Sequence, residues 1–200
     1  MQSFDLVAVG GGAGGLAAAR AAAIEGKRAA LISDAPIGGD CTWTGCVPSK
    51  TLIAAAAQGV SFADAMVRVH QTVEHIAGTE NADVLREEGV TVIKGRAVLQ
   101  DQRSLDVGGD RIGADQIVLA TGGRPAVPPI PGLREMAYLT NEDVWELTEA
   151  PGRLGVLGGG PIGCELAQAM ARLGVRVTLF EMAPRLLPRE EPDASAVIHE

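Results

Sequence analysis

The stretch Leu6-Val7-Ala8-Val9-Gly10-Gly11-Gly12-Ala13-Gly14-Gly15 decides the fold of this chain. Its first four residues form the short apolar run that is typical of a strand buried on both faces of a parallel sheet. The glycines then lead into a run of helix formers, Leu16 to Glu25, which Gly26 is expected to end. Arg28 to Ile32 returns as a second strand. The stretch therefore predicts a strand–loop–helix–strand unit of an α/β fold.

The glycines have the spacing of a dinucleotide-binding loop, Gly10-x-Gly12-x-x-Gly15. The first glycine permits a tight turn, the second lets a pyrophosphate approach the backbone, and the third lets helix and strand pack closely. The acid that commonly binds a ribose at the tip of the second strand is missing, so we expect Ser33 or Asp34 to take its place. The cofactor-binding residues predicted in this unit are Gly10, Gly12, Ala13, Gly14, Gly15, Ser33 and Asp34.

The same pattern recurs later in the chain, with a strand at Leu154 to Leu157 and a helix at Cys164 to Leu173. The loop between them supplies a second set of predicted cofactor-binding residues, Gly158, Gly160 and Gly163. Because one glycine motif alone is a weak signal, two copies in the same context make a dinucleotide-binding fold much more specific. We therefore predict two Rossmann-like, doubly wound units, the second of them truncated.

Glu181 occupies the acid position after the second unit's second strand. A carboxylate there accepts both ribose hydroxyls and repels a 2′-phosphate, which favours NAD(H) over NADP(H). Arg185 lies nearby, and we interpret it as a solvated surface charge.

Two of the three cysteines, Cys41 and Cys46, lie in the stretch Gly38-Gly39-Asp40-Cys41-Thr42-Trp43-Thr44-Gly45-Cys46-Val47-Pro48-Ser49-Lys50. Pro48 suits an early helical position, which places Cys46 near a helix N-terminus, where a thiolate is favoured. The pair predicts redox chemistry, with half of a zinc site or two buried thiols as the alternatives. We expect Cys164 to pack in the core.

Composition limits the functions open to the chain. Its formal net charge is −8 and 46% of its 200 residues are hydrophobic, which predicts a globular protein without the basic face that nucleic acids require. The chain shows no secretory signal and no run long enough to span a membrane, so we expect a cytoplasmic location.

The remaining segments predict helices, strands and a linker. We expect helices at 48–57 and 62–76, a strand at 89–99, a hairpin at 104–112 and a buried strand at 116–120. The proline-rich run Pro125 to Pro131 is the best linker candidate. Accordingly we place a first domain at 1–150 and an incomplete second domain at 151–200.

Together, the two glycine motifs, the Cys41–Lys50 segment and Ala120-Thr121-Gly122 resemble the flavin disulfide reductases, the family of dihydrolipoyl dehydrogenase, glutathione reductase and mercuric reductase. The resemblance implies that electrons pass from NAD(P)H through FAD to a Cys41–Cys46 disulfide and then to the substrate. It implies that Cys46 is the flavin-proximal thiol and that Cys41 attacks the substrate. It also implies that Lys50, paired with Glu165, lies near the reactive flavin nitrogen. The further FAD-site residues that it implies are Gly39, Asp40, Cys41, Lys50, Ala97, Ala120, Thr121 and Gly122.

Several positions depart from the pattern of this family. Asp40 stands where threonine is common and Trp43 where asparagine is common. A carboxylate at Asp40 beside a pyrophosphate would be unfavourable, so we expect its side chain to turn away or FAD to be held differently. Ser33 is a further departure, in the acid position.

The resemblance also sets the expected partners. It implies a disulfide or a metal ion as substrate and a homodimer for the full-length form. Since the second unit shows only two strands, we expect this chain to be a fragment with too small a core in that unit. The alternatives are a flavin oxidoreductase acting on a quinone or another acceptor, and an inactive nucleotide-binding fragment.

Overall fold

The computed structural model describes residues 2–199. The strands are β1 (Gln2–Val9), β2 (Ala29–Ser33), β3 (Val90–Lys94), β4 (Ala97–Asp101), β5 (Ser104–Val107), β6 (Asp110–Leu119), β7 (Arg153–Leu157) and β8 (Arg176–Phe180). The helices are α1 (Ala13–Ile24), α2 (Gly39–Trp43), α3 (Cys46–Ala57), α4 (Phe62–Thr79), α5 (Ala82–Glu87), α6 (Pro161–Arg172) and α7 (Pro192–His199). Within residues 2–199 no helix has both the length and the apolar character needed to cross a membrane.

The chain divides into two compact units. Unit A comprises Met1–Thr44 and Glu74–Pro129, and unit B comprises Gly45–Val73 and Ile130–Glu200. Both units are therefore built from two separate segments of the chain. The division into domains at 1–150 and 151–200 stays a prediction.

Unit A is built on a six-stranded sheet of order β3-β2-β1-β6-β5-β4. The first four strands are parallel, and β5 and β4 extend the sheet in antiparallel fashion. Neighbouring residues of β1 enter different core clusters: Val7 packs with Ile32 and Leu105, whereas Ala8 packs with Leu16 and Leu31. Because successive side chains of a strand point to opposite faces, the sheet is buried on both sides. The predicted α/β fold is confirmed.

One predicted strand is wrong in its extent. The predicted strand at 89–99 forms two strands, β3 and β4, which are separated by Gly95 and Arg96. Gly95 has φ +148°, and a Cβ atom there would lie 2.6 Å from Cγ1 of Val107. The chain therefore turns at a residue that only glycine fits, and β4 leaves β3 to pair with β5. The predicted hairpin at 104–112 is present as β5 and the start of β6.

Unit B buries a larger core than its two parallel strands, β7 and β8, predict. Helices α3 and α4 contribute Leu52, Phe62 and Val69, and the second half of the unit contributes Trp145 and Met170. Residues 151–200, to which the expectation of too small a core applied, contribute only Ala169, Met170 and Val175 to the buried residues of this cluster, so that expectation stays a prediction. The sequence does not show that α3 and the first part of α4 pack in the same cluster as α6.

Candidate active site

The first glycine loop is a close contact between three backbone segments of unit A. A Cβ atom on Gly10 would lie 2.0 Å from the carbonyl oxygen of Ala120, and one on Gly15 would lie 1.8 Å from the carbonyl oxygen of Gly10. Ala120 in turn donates its N–H to the carbonyl of Val9 at 2.8 Å. The motif positions Gly10 and Gly15 are thus required by packing, and Ala120-Thr121-Gly122 lies directly beside the loop.

The segment that precedes Cys41 also packs on this loop. Gly38 donates its N–H to the carbonyl of Gly11 at 2.8 Å, and a Cβ on Gly39 would lie 2.5 Å from Cα of Gly12. Gly38 and Gly39 both have positive φ, at 107° and 58°. Sequence reasoning included Gly39 in the site but missed Gly11 and Gly38, although the runs Gly10-Gly11-Gly12 and Gly38-Gly39 were the available signal.

The N-termini of α1 and α6 are suited to bind phosphate. Gly12 caps α1 and Gly160 caps α6, and neither helix start has a side-chain cap or an acid in its first turn. A Cβ on Gly12 would meet only Cα of Gly39, at 3.7 Å, and one on Gly160 would meet nothing within 4 Å. Uncapped N–H groups and open space are what a pyrophosphate requires, so the loops fit the diphosphates of FAD and of a nicotinamide dinucleotide.

The two candidates for the acid position in unit A lie in different environments. Ser33 is buried, and its hydroxyl donates to the carbonyl of Ala35 at 2.9 Å, whereas Asp34 is exposed. Ser33 thus serves the local turn, and Asp34 keeps its carboxylate in solvent.

The Asp40 side chain lies near Gly122, a residue of the predicted FAD site. Its Oδ2 lies 4.0 Å from the place that a Cβ on Gly122 would occupy, and the residue is exposed. The carboxylate thus lies beside Gly122, and the two expectations for Asp40 stay predictions. Ala97, also predicted for this site, begins β4 and is half-buried.

The three cysteines occupy different environments. Cys41 lies half-buried in α2 of unit A, and Cys46 is the exposed first residue of α3 in unit B. Pro48 is the third residue of α3, as its helix-starting role predicts. Cys164 is half-buried in α6, where its Sγ lies 3.4 Å from the carbonyl oxygen of Gly159 and burial raises its pKa. Within residues 2–199 no group of three or more His, Cys, Asp or Glu side chains could hold a metal ion.

Lys50 and Glu165 form a bidentate ion pair in unit B. The Nζ of Lys50 lies 2.8 Å from Oε1 and 2.7 Å from Oε2 of Glu165. Lys50 is four residues after Cys46 on α3, and Glu165 follows the second glycine loop on α6. Helix α6 begins at Pro161 and has no acid in its first turn, so Glu165 lies beyond that turn, where the interaction with the helix dipole is weaker. The pair joins the cysteine-bearing helix to the helix of the second glycine loop.

Glu181 closes the second glycine loop on one side. Its Oε2 accepts the N–H of Gly159 at 2.6 Å, and its Oε1 accepts the N–H of Ala183 at 2.8 Å. These hydrogen bonds from Ala183 and Gly159 lower the pKa of Glu181 below its ordinary value of 4.5. On the other side of the loop, Leu187 donates its N–H to the carbonyl of Gly159 at 2.8 Å. Gly159, which the motif leaves unspecified, is therefore the residue that the following strand and loop hold in place.

Arg185 is not the solvated charge that its position suggests. It is half-buried, and its Nη2 donates to the carbonyls of Pro188 and Glu190 at 3.1 and 2.8 Å. Its Nη1 is buried without a hydrogen-bond partner. The guanidinium thus organises the loop after β8.

The lowered pKa of Glu181 predicts a specific dependence of stability on pH. Because its pKa in the folded state is below 4.5, ionised Glu181 stabilises the folded protein at neutral pH. This contribution is lost as pH falls from about 4.5 through the lowered pKa. Glu181→Gln should therefore reduce the free energy of unfolding at pH 7 and cause a much smaller difference from wild type at pH 3, as measured by urea denaturation. An equal difference at both pH values would contradict this account.

Known proteins place these features in a family. Residues 4–200 match the family described as pyridine nucleotide-disulphide oxidoreductase. Mercuric reductase from Staphylococcus aureus is 35% identical over 214 residues, which cover 98% of this chain and 39% of that protein. Glutathione reductase from Burkholderia cepacia is 35% identical, over 92% of this chain and 44% of that protein. The chain thus spans less than half the length of these relatives.

Solved structures agree with the sequence relatives. The HOCl-induced flavoprotein disulfide reductase RclA from Escherichia coli superposes with a TM-score of 0.88 at 36% identity. The match covers 100% of this chain and 46% of that one. A matching family over nearly the whole sequence, relatives above 30% identity and the shared fold give one conclusion: the chain belongs to the pyridine nucleotide-disulphide oxidoreductase family, the flavin disulfide reductases.

Proposed function

We propose that this chain carries the cofactor- and cysteine-bearing part of an FAD-dependent NAD(P)H:disulfide oxidoreductase. In this proposal unit A binds FAD, and the second glycine loop of unit B binds the nicotinamide dinucleotide. Cys41, Cys46, Lys50 and Glu165 are the proposed catalytic residues.

The observation that carries the proposal is the Lys50–Glu165 ion pair. Both glycine loops could serve other dinucleotide enzymes, but this pair links the helix of a cysteine motif to the helix of the second loop. With 60% and 35% of their side-chain surfaces exposed, the two residues gain little stability from pairing, about 0–1 kcal/mol. A bidentate pair at this junction is better explained by the fixed position that it gives the Lys50 ammonium.

The residues of this chain have separate tasks in the reaction. The N–H groups at the starts of α1 and α6 bind the two diphosphates. FAD, when bound, supplies the chemistry that links hydride transfer to the two-electron reduction of a disulfide. The net exchange moves two electrons: NAD(P)H and one proton are consumed, and a Cys41–Cys46 disulfide becomes two thiols. Cys41 then attacks the substrate while Cys46 faces the flavin.

The substrate class follows from the thiol chemistry. A pair of thiols can reduce a disulfide by exchange, and thiolates also bind soft metal ions. The relatives include a glutathione reductase and mercuric reductases. Accordingly, we propose a disulfide or a soft metal ion as the substrate.

The cofactor preference is proposed to be NAD(H). Glu181 is ionised at neutral pH, as glutamate ordinarily is, and hydrogen bonds from backbone N–H groups lower its pKa further. Its negative charge at the tip of β8 opposes a 2′-phosphate. Arg185, the cation that could attract such a phosphate, donates instead to two carbonyls of its own loop.

The visible spectrum tests the proposed electron path. The purified protein should bind FAD and, on reduction with NADH, show a long-wavelength charge-transfer band that Cys46→Ser abolishes. In Cys41→Ser the band should persist, because Cys46 is the proposed flavin-proximal thiol. Added glutathione disulfide or Hg²⁺ should then reoxidise the wild type. Bound flavin with no such band, or a band that survives Cys46→Ser, would contradict the proposal.

Two variants of the ion pair test the role of Lys50: one removes the charge of Glu165, and the other exchanges the two charges. Glu165→Gln should slow flavin reduction by NADH roughly tenfold, because the ammonium loses its fixed position. Stability should change by less than about 1 kcal/mol, since the pair is exposed. The double variant Lys50→Glu with Glu165→Lys restores the ion pair but not a cation at position 50. It should remain slow in stopped-flow measurements, and a return to the wild-type rate would show that the pair is only a structural tether.

Cofactor binding tests the role of Glu181. In the wild type, NADH should bind more tightly than NADPH, and Glu181→Gln should reduce that difference by about tenfold through loss of one repulsive charge. Arg185→Gln serves as the matched variant and should weaken neither cofactor selectively. Fluorescence titration measures both affinities without turnover. Selective loss of NADPH affinity in Arg185→Gln would assign the phosphate to Arg185 and overturn the proposed preference.

A further inference from the structure

Helix α2, which carries Cys41, is held by a polar contact that the reaction scheme does not use. Thr42 is 2% exposed, and its hydroxyl donates to Oε2 of Glu80 at 3.1 Å. Glu80 lies between the last residue of α4 and Asn81, which caps α5. The contact therefore ties the residue next to Cys41 to a distant part of unit A.

A helix as short as α2 depends on such contacts. It spans only Gly39–Trp43 and has no side-chain cap at Gly38. Five residues cannot form a stable helix by themselves, because nucleation costs more than one turn of hydrogen bonds returns. Gly38 packs tightly on Thr42, since a Cβ on Gly38 would lie 2.6 Å from Cβ of Thr42. Trp43 donates its indole N–H to the carbonyl of Ile37 at 2.8 Å, which is a local contact. Gly38 and Gly39 pack the start of α2 on the first glycine loop, and the Thr42 hydroxyl adds a side-chain hydrogen bond to Glu80, beyond α4.

The charges around Glu80 make the hydroxyl its nearer partner. Arg20 on α1 lies 2.6 Å from Glu88 but 3.9 Å from Glu80. The strong ion pair of Arg20 is thus with Glu88, and Glu80 is left with a hydrogen bond from Thr42 and a longer contact to Arg20. Glu80 and Arg20 are about 70% shielded from solvent. A hydrogen bond to a carboxylate in such a place is stronger than one on the open surface.

We propose that Thr42 and Glu80 are positioning residues for Cys41. The Thr42 hydroxyl and the Glu80 carboxylate fix α2, and thereby the direction in which the Cys41 thiol is presented. This inference rests on the proposed function, in which Cys41 is the thiol that attacks the substrate. It adds to that function two residues that act through α2. Without their contact, α2 opens more often and the thiol loses its set direction.

The test compares thiol alkylation at single cysteines and needs neither FAD nor turnover. The protein is reduced, the reductant is removed, and iodoacetamide labelling of Cys41, Cys46 and Cys164 is followed by peptide mass spectrometry. Thr42→Val keeps the shape of the side chain but removes the donor, and Glu80→Ala removes the acceptor. Because α2 then opens more often, each variant should raise the labelling rate at Cys41 about fivefold, the equivalent of one lost hydrogen bond. The labelling rates at Cys46 and Cys164 should stay within twofold of wild type.

Two matched variants separate positioning from stability. Thr42→Ser keeps the donor and should label like the wild type, as should Glu88→Ala, which truncates the other acidic partner of Arg20. The proposal is overturned if Cys41 labels at the wild-type rate in both Thr42→Val and Glu80→Ala. It is also overturned if the labelling rates of all three cysteines change together, or if Glu88→Ala changes the rate at Cys41 as Glu80→Ala does.

The pH midpoint of labelling in Thr42→Val should equal that of wild type, because this variant changes position and not charge. These outcomes are independent of the flavin spectrum, so this inference and the proposed function can fail separately.

Discussion

The structure of unit A depends on a steric constraint: several backbone segments approach so closely that no side chain fits between them. The carbonyl of Ala120 occupies the Cβ position of Gly10, and Cα of Gly12 lies against Gly39. Such proximity is possible only at glycine. This close packing brings three features together at the first glycine loop: the start of α1, the Ala120-Thr121-Gly122 segment and the short helix that carries Cys41. The glycine positions therefore determine the shape of the site before any functional group is considered.

The two glycine loops solve the same geometric problem with different chemistry. In each loop the second glycine is held through its carbonyl. The carbonyl of Gly11 accepts the N–H of Gly38 in unit A, and that of Gly159 accepts the N–H of Leu187 in unit B. The residue after the second strand differs, however. Glu181 binds the N–H of Gly159, whereas Ser33 turns its hydroxyl to the carbonyl of Ala35. The acid position therefore carries a negative charge at the second loop and a neutral hydroxyl at the first.

Features encoded within a few residues could be predicted from the sequence, and features that depend on distant residues could not. The glycine spacing fixed both βαβ units, and the register of the second strand located Glu181. The break at Gly95 was missed because strand-forming residues lie on both sides of it and the cause is the side chain of Val107 on another strand. Likewise Arg185 looks like a surface charge until its loop folds over it. The Thr42–Glu80 contact joins residues 38 positions apart and leaves no local pattern.

The core of unit B bears on how the Lys50–Glu165 pair should be understood. Helices α3 and α6 pack together through buried residues such as Leu52, Ala169 and Met170, and this burial supplies most of their attachment. An exposed ion pair adds little to such a contact. It does, however, fix the ammonium of a side chain that would otherwise sample many rotamers. Because the apolar contact already holds the helices, the pair contributes mainly orientation, and orientation of a cation matters where a reacting group has to meet it. The core thus holds the helices together, and the charges orient one side chain. We expect this division in a catalytic site built on a rigid scaffold.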